Sequence, residues 1–135
     1  MGLLEWIRKF YPTEVRECTK TEALKHSRQK WHGLKPENLK EFGCEIQYDA
    51  GGLYVIDSNF ILNEEFCFGG STCALCQVHN ADCTGCPIEK AGERCDVEGS
   101  VYFSIIHNES APQEMIDLLD RLYCEEQQML IDNKL

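Results

Sequence analysis

Nowhere does the chain string together the about 18 apolar side chains a membrane helix requires, and Glu5, Arg8 and Lys9 interrupt the one apolar stretch at its start. That start reads as neither a secretory leader nor an anchor, so a cytoplasmic protein is expected. A Gly-x-x-x-x-Gly-Lys-Ser phosphate loop is missing, and so are His-Glu-x-x-His and Gly-x-Ser-x-Gly. These absences remove the common nucleotide-hydrolysing, zinc-protease and serine-esterase readings. No internal repeat or low-complexity linker breaks the 135 residues, which suit one domain with one modest core.

Positive charge is also scarce: 13 Lys and Arg stand against 23 Asp and Glu, a net charge of −10. The deficit is uneven. Residues 1–43 hold nine basic and six acidic side chains, +3, whereas residues 44–135 hold four basic and seventeen acidic, −13. An acidic surface repels nucleic-acid phosphates and suits a basic protein partner, although acidity alone also keeps a small domain soluble.

What the chain has in plenty is cysteine, nine in all, an odd number that argues against a completed disulfide framework. Cys73, Cys76, Cys83, Cys86 and Cys95 fall within 23 residues, and the first four form two Cys-x-x-Cys turns. The two sulfurs of such a turn converge on one point, and thiolates about 2.3 Å from Zn²⁺ complete a tetrahedron without further groups. Two turns make one closed site, which stabilises a short segment rather than performing chemistry. The six-residue spacer is shorter than that of zinc ribbons, so Cys95 competes for the fourth position. Cys67 and His79 are reserve ligands. Structural zinc is the expected cofactor, and an iron–sulfur cluster is the alternative, although the spacing differs from ferredoxin runs. Cys18, Cys44 and Cys124 read as buried small hydrophobes.

Periodicity divides the chain into a helical segment (1–43), a β-hairpin region (44–70), a metal-binding loop (71–97) and a strand plus C-terminal helix (98–135). Leu3, Leu4, Trp6, Ile7 and Phe10 predict a docking helix stopped by Tyr11-Pro12. Thr19 or Thr21 caps a second helix ending at Gly33, and a third runs from Pro36 to Gly43. Cys44–Asp49 and Leu53–Asp57 flank Ala-Gly-Gly as a hairpin, which Phe60–Leu62 and Glu65–Phe68 extend. Val101–Ile106 has strand composition, with a helical turn as the alternative. Ser110 and Gln113 form a capping-box pattern ahead of a long apolar-periodic helix. The expected fold class is α+β: N-terminal helices, a small antiparallel sheet, a zinc-clamped loop and a C-terminal amphipathic helix.

The block Thr72–Cys76, then Asp82–Pro87, Gly92 and Cys95, followed by Tyr102 and the Met115-Ile116-x-x-Leu119 helix, resembles small cysteine-rich accessory proteins of phages and prophages. Ala23–Ser27 with Lys30, Trp31, Gly33 and Leu34 is similar to their leading segment, so the resemblance spans roughly residues 20–122. It implies an accessory protein made in a bacterial cytoplasm, of a kind that binds and inhibits a host protein, captures a signalling nucleotide or assists nucleic-acid transactions.

One further cluster draws notice. His26, Arg28, Lys30, Trp31, His32 and Lys35 gather cations and a stacking ring on and after one helix, the combination a nucleotide or single strand requires. The competing reading is a solvated helix face with Trp31 in the core. Paired carboxylates such as Glu64-Glu65 or Asp117 with Asp120 would serve a metal-dependent enzyme, but an acidic chain usually keeps them solvated. The leading expectation is therefore a zinc-stabilised protein that acts by binding a host protein as inhibitor or modulator. Nucleotide capture through His26, Arg28, Lys30, Trp31 and Lys35 is the alternative, and a metal-dependent enzyme is the second alternative.

Overall fold

The computed structural model describes residues 2–49, 51–58, 64–69, 72–79 and 86–133. Among these residues the chain forms seven α-helices and a three-stranded antiparallel sheet, an α+β arrangement. Helix α1 (Leu3–Phe10) turns its apolar stripe inward, burying Leu3, Trp6 and Phe10. A 3₁₀ turn at Val15–Glu17 leads to α2 (Lys20–His32). There the Thr19 N–H and hydroxyl both donate to Glu22 Oε1, at 3.2 and 2.8 Å, closing the first turn. Helix α3 (Pro36–Phe42) starts on proline and ends at Gly43, whose φ of 65° is the left-handed cap conformation.

Gly33, between α2 and α3, is there for space. A Cβ at this position would lie 2.6 Å from Trp6 Cζ2 and 2.8 Å from Phe10 Cγ, so only glycine lets α1 seat against the end of α2. Trp6 Nε1 donates to Gly33 O at 2.9 Å, which satisfies the indole inside the core. Trp6 is wholly buried and its ring also meets Phe66 and Phe68, at centroid distances of 5.4 and 5.9 Å. Truncating a buried tryptophan costs about 3–5 kcal/mol, so this one side chain accounts for much of the docking of α1.

Strand β1 (Cys44–Asp49) pairs with β2 (Gly52–Asp57), and β2 pairs with β3 (Glu65–Cys67), both antiparallel. The register sets Val55 opposite Phe66 and Tyr54 opposite Cys67, so β2 carries its apolar face into the core while β3 delivers Cys67 to the sheet's end. Phe60–Leu62 lies outside the described residues. Short helices α4 (Ala74–Val78), α5 (Pro87–Lys90) and α6 (Val101–Ile106) follow, and α7 (Gln113–Asn133) packs along α2.

Two local expectations are corrected. Val101–Ile106 is a helix, because Gly99 (φ 88°) reverses the chain and Ser100 then caps it. The Phe103 N–H donates to Ser100 Oγ at 3.4 Å and the Val101 N–H to Glu93 Oε2 at 2.8 Å; these caps override β-branched composition. The Ser110–Gln113 capping box is not used, since α7 begins at Gln113, whose amide donates forward to Asp117 Oδ1 at 2.9 Å. Among the remaining cysteines Cys44 is buried, and burial pushes its thiol up to about 11. Cys124 instead lies exposed on the outer face of α7, and Cys18 is half-buried.

Candidate functional site

Helix α4 carries the first Cys-x-x-Cys turn and packs against α2. Its N-cap is Cys73, in extended backbone with φ −103°. The sulfur of Cys73 sits among donors. The Cys76 thiol donates to it, the Cys76 backbone N–H and the Ser27 hydroxyl add hydrogen bonds, and the Lys30 ammonium lies nearby. These together outweigh the burial that works the other way, and hold Cys73 well below the usual thiol range. The Ser27 Oγ–Cys73 Sγ separation is 3.8 Å.

Lys30 is the unusual member. It is 1% exposed, and its Nζ donates to Thr72 O at 3.0 Å while lying 4.9 Å from the Phe68 ring centroid. An ammonium has three donors, and a buried one without anionic neighbours is strongly destabilising. Burial pushes Lys30 below the ordinary lysine range, and the groups that oppose it are the sulfurs of Cys73, Cys76, Cys67 and Cys95. The same four sulfurs surround Tyr102, whose hydroxyl donates to Phe68 O at 2.7 Å and is raised first by burial and then by those thiols. Thr72 ties the turn before α4: its hydroxyl donates to Cys67 O at 2.7 Å and accepts from the Gly69 N–H at 3.3 Å. Sheet end, turn, α4 and α2 thus meet near one buried cation whose charge the four sulfurs favour.

The sequence-predicted ligands separate on this frame. Cys73, Cys76 and Cys95, with the reserve residue Cys67, act electrostatically to favour the Lys30 charge. Cys86 is buried as the N-cap of α5, and Cys83 lies outside the described residues. Among the described residues no group of three or more His, Cys, Asp and Glu side chains stands in a metal-holding arrangement. His79 ends α4 as its C-cap.

The basic and aromatic residues of α2 are not brought together on one open face. Lys30 and Trp31 point into the core, the latter with its ring 4.9 Å from that of Phe68. His26 is buried too, its Nε2 2.6 Å from Thr13 O and its Nδ1 without a partner. Arg28 Nε and His32 Nε2 both bond Asp120 Oδ1 at 2.7 Å, and the Arg28 guanidinium covers Tyr123 at 4.9 Å. These two side chains therefore fasten α2 to α7. Lys35 is the half-buried N-cap of α3.

Burial works to raise the Asp120 carboxyl, but the hydrogen bonds from His32 and Arg28 outweigh it and hold the group below the ordinary carboxylate range. A depressed acid contributes stability above its unfolded pKa and loses it as pH falls through the folded one. The site is partly solvated, so Asp120→Asn is expected to cost about 0.5–1 kcal/mol at pH 7. The variant's stability also declines less than the wild type's below about pH 4. Urea midpoints at pH 7 and pH 3 measure both; equal losses at the two pH values would contradict it.

Comparison of the chain with protein families, curated proteins and solved structures finds no match. Among the described residues no helix is long and apolar enough to cross a membrane.

Proposed function

We propose that this chain is a zinc-clamped accessory protein that acts by binding another protein, a host protein of the bacterial cytoplasm in the setting its resemblance implies. The support for the metal is the buried Lys30 ammonium with the sulfurs of Cys67, Cys73, Cys76 and Cys95 about it. Without metal only Cys73 is favoured as thiolate, so the buried cation has little compensation. Zinc holding four thiolates carries two negative charges in excess, one of which a neighbouring ammonium offsets. The Cys73 sulfur, already favoured as thiolate by its donors, is the natural first ligand, with Cys76 beside it. The remaining ligands come from Cys67, Cys95, Cys86 and the undescribed Cys83.

A closed thiolate site leaves no open position for substrate, so activity then resides in the surface that the metal holds in shape. That surface carries the −10 net charge, and charge of one sign speeds encounter with a basic protein and disfavours nucleic acid. With Lys30 and Trp31 in the core and Arg28 on Asp120, α2 offers little for a nucleotide to stack on or pair with.

The test is capture from bacterial lysate on zinc-loaded and metal-stripped protein in parallel. A basic host protein retained in stoichiometric amount by the loaded form, and released when the metal is stripped, is the expected outcome. Identical retention profiles from the two forms would contradict the proposal.

A further inference from the structure

Two cavities, of about 670 and about 440 Å³, flank α7 and share Ala91 and Arg121 as lining residues. They adjoin along α7, which walls both, and the stretch from Pro87 to Ser104 lines the opposite side, with Leu24 of α2 at one end and Ser110 at the other. On α7 the lining runs from Glu114 to Met129, about 22 Å of helix at 1.5 Å per residue, which matches about four turns of a docked helix. The end between Leu24, Leu122 and Met129 is mostly apolar, whereas the end beside Val101 and Ser104 is mixed; Leu118, Leu122 and Met129 recur along one face of α7, the two leucines showing only their edges and Met129 exposed. The rim is acidic. Five carboxylates, Glu93, Glu114, Asp117, Glu125 and Glu126, stand against Lys90 and Arg121, and Arg121 is already engaged by Glu125 at 3.9 Å. At the far end Met129, Leu130 and Ile131 are 64, 50 and 55% exposed.

We propose that this groove receives a cationic amphipathic helix of a partner protein. The inference rests on the reading that the chain acts by binding a protein, and fixes where. An apolar stripe on the incoming helix meets Leu118, Leu122 and Met129, while its flanking Lys or Arg side chains meet the carboxylate rim; this is helix-in-groove recognition with electrostatic complementarity. A second copy offering its own α7 is disfavoured, because the groove-lining face of α7 carries four acids against one arginine and would set carboxylate against carboxylate.

The probe is a synthetic 16-residue Leu/Lys peptide with all leucines on one helical face, beside a scrambled peptide of the same composition. Binding to the full, metal-loaded chain is read by fluorescence anisotropy. The ordered peptide is expected to bind about tenfold more tightly than the scrambled one. Met129→Ser and Glu125→Lys, both at well-exposed positions, are each expected to weaken it about tenfold while leaving the thermal melt unchanged. Equal affinity for the two peptides, or no loss in either variant, would overturn the groove as a binding site. A concentration-dependent dimer in sedimentation that the ordered peptide fails to dissociate would overturn it in favour of a second copy. Should wild type and both variants capture the same host protein equally well, binding survives as the function and this groove is excluded as its site.

Discussion

Replacing Cys76 by serine is expected to lower the stability of the metal-loaded protein by several kcal/mol, and its melting temperature by on the order of 10 °C. The reason lies in the shortness of the elements that carry the cysteines. Helices α4 and α5 have five and four residues, too short to persist on their own, and β3 has three. The Cys76 thiol and N–H both serve the Cys73 sulfur, so the substitution removes a ligand and weakens the hydrogen bonding of its neighbour together. A strong chelator should bring the wild type down to the variant's melting point, because the binding free energy of a structural metal is folding free energy. Differential scanning calorimetry with and without chelator decides it. A variant that melts with the wild type although its metal is gone would show that the sulfurs are only packing.

Lys30→Met should change sign with the metal. In the metal-free, reduced protein the ammonium is buried with Thr72 O as its acceptor and Cys73 as the one sulfur favoured as thiolate, and that sulfur can take up a proton when the cation is removed, so an apolar side chain of similar length is expected to be neutral or to stabilise by up to about 4 kcal/mol. In the loaded protein the same change strips the counter-charge from a thiolate centre. The expected result there is a loss of about 3–5 kcal/mol, with weaker metal retention. Chemical denaturation of both proteins in both states gives the four free energies. If methionine stabilises the chain equally with and without metal, Lys30 does not serve the sulfurs, and the charge argument for the centre fails.

Where capping chemistry is local, the fold could be read from the residues. Thr19 with Glu22, Pro36 and Gly43 bound α2 and α3 because each satisfies or terminates a helix end within a few positions. The hairpin of β1 and β2 follows from β-formers flanking Ala-Gly-Gly, with Gly52 taken into β2 opposite Asp49. Val101–Ile106 misled because its helix is set by Glu93, eight residues back, and by the positive φ of Gly99; neither shows in composition.

The candidate site was legible in kind but not in membership. Cysteine spacing points to residues 73–95 with Cys67 in reserve; strand pairing with β2 places Cys67, a tertiary relation that no spacing rule contains, and among the described residues no three such side chains stand in a metal-holding arrangement. Spacing alone sets Lys30 with its basic neighbours on a solvated helix face, or on a face for anions. Its place in the stripe of Ala23, Ser27, Lys30 and Leu34, all buried, is the signal that turns it inward. Arg28 and His32 looked available only until α7 supplied Asp120, 88 residues beyond His32 in the chain.

The most direct test of the account is the metal itself, by elemental analysis and X-ray absorption at the metal edge on protein purified under reducing conditions. The account predicts one zinc per chain with four sulfur neighbours at about 2.3 Å. Protein that folds without metal, or that holds iron or a zinc with oxygen ligands, would contradict the structural thiolate centre.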